Sequence, residues 1–149
     1  MYKRIIIFLL IFAMWFFGSI FFPFDIGFYS ILTLPKIAPN QNLIFYSWIF
    51  IYFLNTISIY HLIKNYNLNN NYIFFMSINY LFNQLFSLFF FYMHSMPLTL
   101  TSIITVTISS IYLFFETKKI NKISSYFFIP YTIWNIYMLI LFIIVYIIN

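Results

Sequence analysis

Ser124–Ile148 reads SSYFFIPYTIWNIYMLILFIIVYII, 25 residues with no charged side chain and with Pro130 as the one helix-disfavouring residue. An α-helix rises 1.5 Å per residue, so this stretch reaches roughly 37 Å. That exceeds the roughly 30 Å hydrocarbon core of a bilayer. A helix on the surface of a soluble domain would carry a polar face, and this one is apolar all round. It is therefore predicted to cross a membrane.

Similar apolar runs lie upstream at about residues 5–22, 43–63, 72–92 and 98–115, with 124–148 the fifth. Their punctuation is consistent. Pro23 and Asp25 end the first, an Asn-rich turn around Asn65–Asn71 follows the second, and His94, Ser95 and Pro97 separate the third from the fourth. The charged segment Glu116–Lys122 reads as the last loop, and residues 24–42 form a long polar-aromatic loop after the first span. The runs are too long and unbroken for the dyad alternation of a membrane barrel, and only helices and closed barrels satisfy the backbone in lipid. The expected fold is an all-α integral membrane protein, a compact bundle of five transmembrane helices forming one domain over residues 1–149. Met1–Ser19 reads as the start of the first span rather than a cleaved leader, because the apolar run continues to Phe22 without a small-residue cleavage site.

Composition supports this reading. Of 149 residues 64% are hydrophobic and only 6% charged, against about a quarter in soluble domains. The seven basic residues divide unevenly between the two ends of a five-span bundle. Lys3, Arg4, Lys64, Lys118, Lys119 and Lys122 fall on one side and Lys36 on the other. The positive-inside rule then puts the N-terminus in the cytoplasm and Asn149 outside, as in a bacterial inner membrane. No basic patch interleaved with solvent-facing aromatics points to nucleic acid. Cysteine is absent, His61 and His94 have no partner at metal-ligand spacing, and no paired carboxylate or nucleophile with its base is visible. No catalytic residue, metal ligand or required cofactor is expected.

The residues that could contact a ligand are polar or aromatic groups inside the spans. Asn83 lies mid-span, where an amide must find a partner; it reads either as helix-to-helix glue or as a ligand-facing group. Trp48 with Tyr52, and Trp134 with Tyr131 and Tyr137, read either as interfacial anchors or as flat walls for a planar hydrophobic ligand. Trp15 reads as an interfacial anchor. Ser102, Thr105 and Ser109 recur at helical spacing and predict close helix packing.

Three segments in register resemble the TspO/MBR family, the tryptophan-rich sensory proteins related to the mitochondrial translocator protein. Gly27-Phe28-Tyr29-Ser30-Ile31-Leu32-Thr33-Leu34-Pro35 is similar to the family's G-W-Y-x-x-L-x-x-P, and it continues through Pro39 to Trp48 and Tyr52, which fit a W-x-x-x-Y ending. Asn83–Phe91 is similar to N-x-x-W-S-x-x-F-F. Pro130-Tyr131-Thr132-Ile133-Trp134, followed by Tyr137 and Leu141, matches P-Y-x-x-W. The departures are Ile37 and Asn42 at loop tryptophans, Phe45 and Tyr46 at prolines, Phe86 at a tryptophan, Met138 at an alanine and Phe142 at an asparagine.

The resemblance implies a five-helix bundle, often a homodimer, with a hydrophobic pocket beneath the first loop that takes a tetrapyrrole such as protoporphyrin IX or haem. Carried over, Tyr29, Trp48, Asn83 and Trp134 fall on pocket positions with Tyr52 and Phe86 beside them, and Pro35 and Pro39 shape the loop. The implied partners are the lipid bilayer and a small hydrophobic ligand, in a sensing, regulatory or ligand-handling role. A light-dependent porphyrin-degrading enzyme and an accessory subunit without a ligand are the alternatives. The missing loop tryptophans weigh against the enzyme.

Overall fold

The computed structural model describes residues 2–149, which form helices joined by short turns. Four helices are long and apolar enough to cross a membrane: α4 (Gln41–Asn65), α5 (Asn70–Ser87) with its continuation to Tyr92, α6 (Met96–Ile120) and α7 (Lys122–Ile148). They are preceded by α1 (Tyr2–Met14), α2 (Phe17–Phe21) and α3 (Ile26–Ile31). The architecture is an all-α, multi-span bundle. Polar turns start three of the long helices, because an Asn side chain can accept the otherwise orphaned N–H groups of a first turn. Asn40 accepts from Leu43 N, Asn69 from Tyr72 N and Asn121 from Ser124 N, at 2.7–2.8 Å.

The expected first span is broken. Its helix stops at Met14 and resumes at Phe17, which frees backbone groups that lipid could not satisfy. Helix α5 supplies their partners: Tyr80 OH donates to Met14 O at 3.0 Å, and Gln84 Nε2 reaches Trp15 O at 3.5 Å. Gln84 Oε1 in turn accepts from Gly18 N at 2.6 Å. The approach is close enough that a Cβ on Gly18 would lie 2.7 Å from the Gln84 carbonyl oxygen. Trp15, expected at the interface, is instead 2% exposed and stacks on Tyr52 at 5.1 Å. The break turns this indole inward.

Two expected loops contain helix. Asp25 caps α3 within the long loop by accepting from Phe28 N at 2.9 Å. The charged segment after Phe115 continues α6 to Ile120, leaving Asn121 as the junction with α7. Lys118 and Lys119 there complement the negative helix end, Lys119 pairs with Glu116, and Thr117 is fully buried. Helix α6 packs most extensively against α7 and α5. Small hydroxyl residues allow that approach. Ser102 donates to Phe82 O at 2.6 Å and Thr107 to Asn135 O at 3.2 Å, while Thr105 bonds back to Thr101 O on an exposed face.

The Gly18 contact gives a test of the broken segment. Gly18→Ala forces a methyl into the Gln84 backbone and should destabilise the protein by about 1–3 kcal/mol, the usual cost of overpacking. Ser19→Ala, at an exposed neighbour, should leave thermal unfolding in detergent unchanged. Equal melting temperatures for both variants would mean that the contact does not constrain the fold.

Candidate functional site

A cavity of about 310 Å³ opens between the helices beneath residues 24–34. Its roof is Phe24, Ile26, Tyr29, Leu32 and Leu34 from the first loop. Trp48 and Tyr52 come from α4, Asn83, Phe86 and Ser87 from α5, and Asn135, Met138 and Phe142 from α7. The extension of α5 contributes two more rings. Leu88–Tyr92 is a turn of π-helix closed by Met93 N donating to Leu88 O at 2.9 Å, and this wider turn lets Phe86, Phe90 and Phe91 all face the cavity. Such turns are rare and frequently mark functional sites. Among the described residues, no Lys, Arg, His, Asp or Glu lines the cavity.

Five of the six expected ligand residues therefore share one cavity: Tyr29, Trp48, Tyr52, Asn83 and Phe86. Trp134 does not line it. Its ring stands edge-on to Trp48 at 6.2 Å, and it borders a shallow outer groove with Ser47 and Pro130. The bulky replacements leave the cavity open. Phe45, Phe86 and Phe142 lie in its wall, and Tyr46 is 66% exposed. Pro35 and Pro39 lie outside the lining: Pro35 O accepts from Ala38 N at 2.8 Å to close a turn, and Pro39 precedes the Asn40 cap of α4.

Asn83 is largely committed to protein partners. Its Oδ1 accepts from Tyr52 OH at 3.0 Å and Gln84 Nε2 at 3.4 Å, and its Nδ2 reaches Tyr131 OH at 3.4 Å. Tyr131 donates to Asn79 Oδ1 at 2.6 Å, and Asn79 Nδ2 donates to Val106 O and Ser109 Oγ. This network is the cavity floor. Helix-to-helix glue is one of the two expected readings of Asn83, and the structure gives that role to both Asn83 and Asn79. Asn135 is not among the expected residues. It is fully buried, lines the cavity, and neither of its side-chain polar atoms has a partner among the described residues. A mid-span amide four residues beyond Tyr131 was the signal that could have found it.

Three ties hold the roof. Asn149 Oδ1 accepts from Thr33 N at 2.8 Å while its Nδ2 donates to Thr33 O at 3.1 Å. Tyr137 OH donates to Ile37 O at 2.7 Å. His94, in a left-handed backbone conformation, pairs with Asp25 at 3.0 Å and stacks on Phe28 at 4.1 Å. Burial, with the nearby Tyr137 phenol, raises the Tyr29 hydroxyl above its ordinary pKa, so it stays a neutral donor. Among the described residues no three His, Cys, Asp or Glu gather to hold a metal.

Asp25 sets the acid limit of this roof. The Phe28 N–H first, and then the His94 ring, hold its carboxyl below the ordinary value of 3.8. Because the folded-state pKa is depressed, the contribution is fully present above the ordinary value and disappears as pH falls through the lowered one. Protease cleavage within residues 24–42 should accelerate over that acid range, measured with an acid-active protease. Asp25→Asn should cleave quickly at every pH. A wild-type rate that stays flat would exclude the latch.

The fold and cavity define a class, the multi-pass helical membrane protein with an internal apolar chamber closed by a loop. The TspO/MBR family model matches residues 6–147, and the chain belongs to that family. It is 29% identical over 134 residues to the tryptophan-rich protein TspO of Bacillus cereus, covering 89% of this chain and 88% of that one. It is 27% identical over 131 residues to the uncharacterized membrane protein YtaB of Bacillus subtilis, covering 87% and 84%.

Proposed function

We propose that the protein binds a planar hydrophobic ligand inside the bundle, with a tetrapyrrole such as protoporphyrin IX or haem as the leading candidate, and serves to sense or hand on that ligand. The observation that carries this reading is the uncharged cavity under the tied loop, with Trp48, Tyr52 and Phe86 in its wall. Aromatic faces stack on a planar ring, and ligand sites are characteristically concave, apolar and sparsely polar. At about 310 Å³ the volume sits at the lower end of the roughly 300–1,000 Å³ of drug-sized sites. A macrocycle would thus require the roof to lift, and the loop ties are the contacts that would yield. A binding role fits better than turnover, because among the described residues the lining offers no carboxyl, imidazole, amine or thiol group. Membership of the family also favours a homodimer as the working form.

In this reading the broken first segment, α1 with α2, is the fifth crossing. It runs antiparallel to α4, as Phe8 meets Tyr60 and Trp15 meets Tyr52. The basic end of the bundle then faces the cytoplasm of a bacterial cell. The chain has no cysteine, so single substitutions report cleanly. In intact cells Lys36→Cys should react with an impermeant maleimide and Asn67→Cys only after lysis. The reverse pattern would invert the topology.

Binding is tested by Trp-fluorescence quenching with protoporphyrin IX in detergent, checked by porphyrin absorbance. Saturable binding should weaken at least about tenfold in Trp48→Ala, whose ring lies in the wall, and less in Trp134→Ala, whose ring stands behind it; one stacked aromatic contributes roughly 0.5–1.5 kcal/mol beyond its buried area. Non-saturating uptake, the same in all three proteins, would rule out the cavity as the porphyrin site.

A further inference from the structure

We propose that Asn135 is the group that orients the ligand, and that the portion of the ligand held deep in the cavity is uncharged and presents a hydrogen-bond acceptor beside a donor. This rests on the reading that the cavity binds a hydrophobic ligand.

Two mid-span amides line the chamber, and they differ in what they have left to offer. Asn83 spends its oxygen on Tyr52 and Gln84 and its nitrogen on Tyr131. Asn135 is fully buried, and both its Oδ1 and its Nδ2 lack partners among the described residues. The Tyr131 hydroxyl, one turn away on α7, lies near the Asn135 amide without meeting hydrogen-bond geometry, and it is already shared between Asn79, to which it donates, and Asn83. A buried amide without partners is costly, and few native groups are left so. Asn55 is the other fully buried amide with both atoms unpartnered, but it does not line the chamber. An amide pairs best with a ligand edge that accepts from Nδ2 and donates to Oδ1. A primary or secondary carboxamide has such an edge, as does a ring carbonyl next to a pyrrole N–H.

Charge selects against the alternatives. No ionisable side chain other than tyrosine lines the cavity among the described residues. A carboxylate or ammonium placed beside Asn135 would lose its water without gaining a counter-charge. Nearer the roof, the Tyr29 hydroxyl is also buried without a partner. It packs with Met138 and Phe142, one to two helical turns beyond Asn135 and so roughly 5–10 Å along α7. A ligand with acidic groups would therefore keep them at the loop end, near Gln41, Asn42 and exposed Lys36, and enter with its neutral edge first.

Three matched probes test this in detergent by saturable energy transfer from Trp: pyrene-1-carboxamide, pyrene-1-carboxylate and 1-ethylpyrene. The wild type should favour the carboxamide over both others by roughly tenfold to a hundredfold. Asn135→Leu should abolish the preference over 1-ethylpyrene while raising the melting temperature of the ligand-free protein, because it removes an unpaired buried amide. Asn135→Gln should recover part of the preference, and Asn55→Leu should keep all of it. If Asn135→Leu retains the wild-type preference, the anchor lies elsewhere while the cavity reading stands. Carboxylate binding as tight as carboxamide binding would overturn the neutral edge. If none of the probes binds the wild type saturably, the cavity reading fails and the anchor with it.

Discussion

The four long helices and the broken first segment are tied to one chain of hydrogen bonds at the centre of the bundle. Tyr52 on α4 donates to Asn83 on α5, Asn83 reaches Tyr131 on α7, and Tyr131 donates to Asn79. Asn79 bonds Val106 O and Ser109 on α6, and Gln84 carries the chain to Gly18 and Trp15 of the first segment. In a bilayer, lipid gives no hydrophobic force between helices, so packing and polar contacts must select one arrangement. Groups in such a network strengthen one another in a low dielectric, and each loses heavily if left unpaired. The network therefore specifies register as well as stability.

The cavity exists because of where this network stops. Below it the bundle is filled, with Leu62, Leu113 and Phe128 having no exposure. Above it α7 continues with Asn135, Met138 and Phe142, α5 widens through its π turn, and the first loop closes the top. The roof combines apolar packing of Phe24, Phe28, Tyr29 and Leu32 with a few polar ties at its edge. Exposed ties of that kind open at lower free energy than core packing. A hydrogen-bonded floor under a tied roof is consistent with the proposed binding of an apolar ligand.

Aromatic residues serve two distinct roles here that their abundance concealed. Trp15, Tyr52 and Trp48 form a series of ring contacts inside the bundle, whereas Phe21, Phe50, Tyr92 and Tyr126 face outward. Both groups look alike along the chain, because lipid and core are equally apolar. Only the polar groups that need partners distinguish inside from outside. For that reason Asn83 was legible as an interior residue while Trp15 was not.

The sequence alone determined that the chain lives in lipid, where its long apolar segments lie, that six of its seven basic residues gather at one end, and to which family it belongs. Length, hydropathy and Asn caps are local properties, and the family motifs are linear patterns. The tertiary structure decided which amide is committed and which is free, that Trp134 stands behind the wall, that the first segment breaks at Trp15, and that residues 116–120 stay helical. Each of those depends on a partner far along the chain: Gly18 on Gln84, Tyr131 on Asn79, Thr33 on Asn149. A hydrogen bond between distant residues leaves no period or spacing to read. It appears only when the helices are brought together.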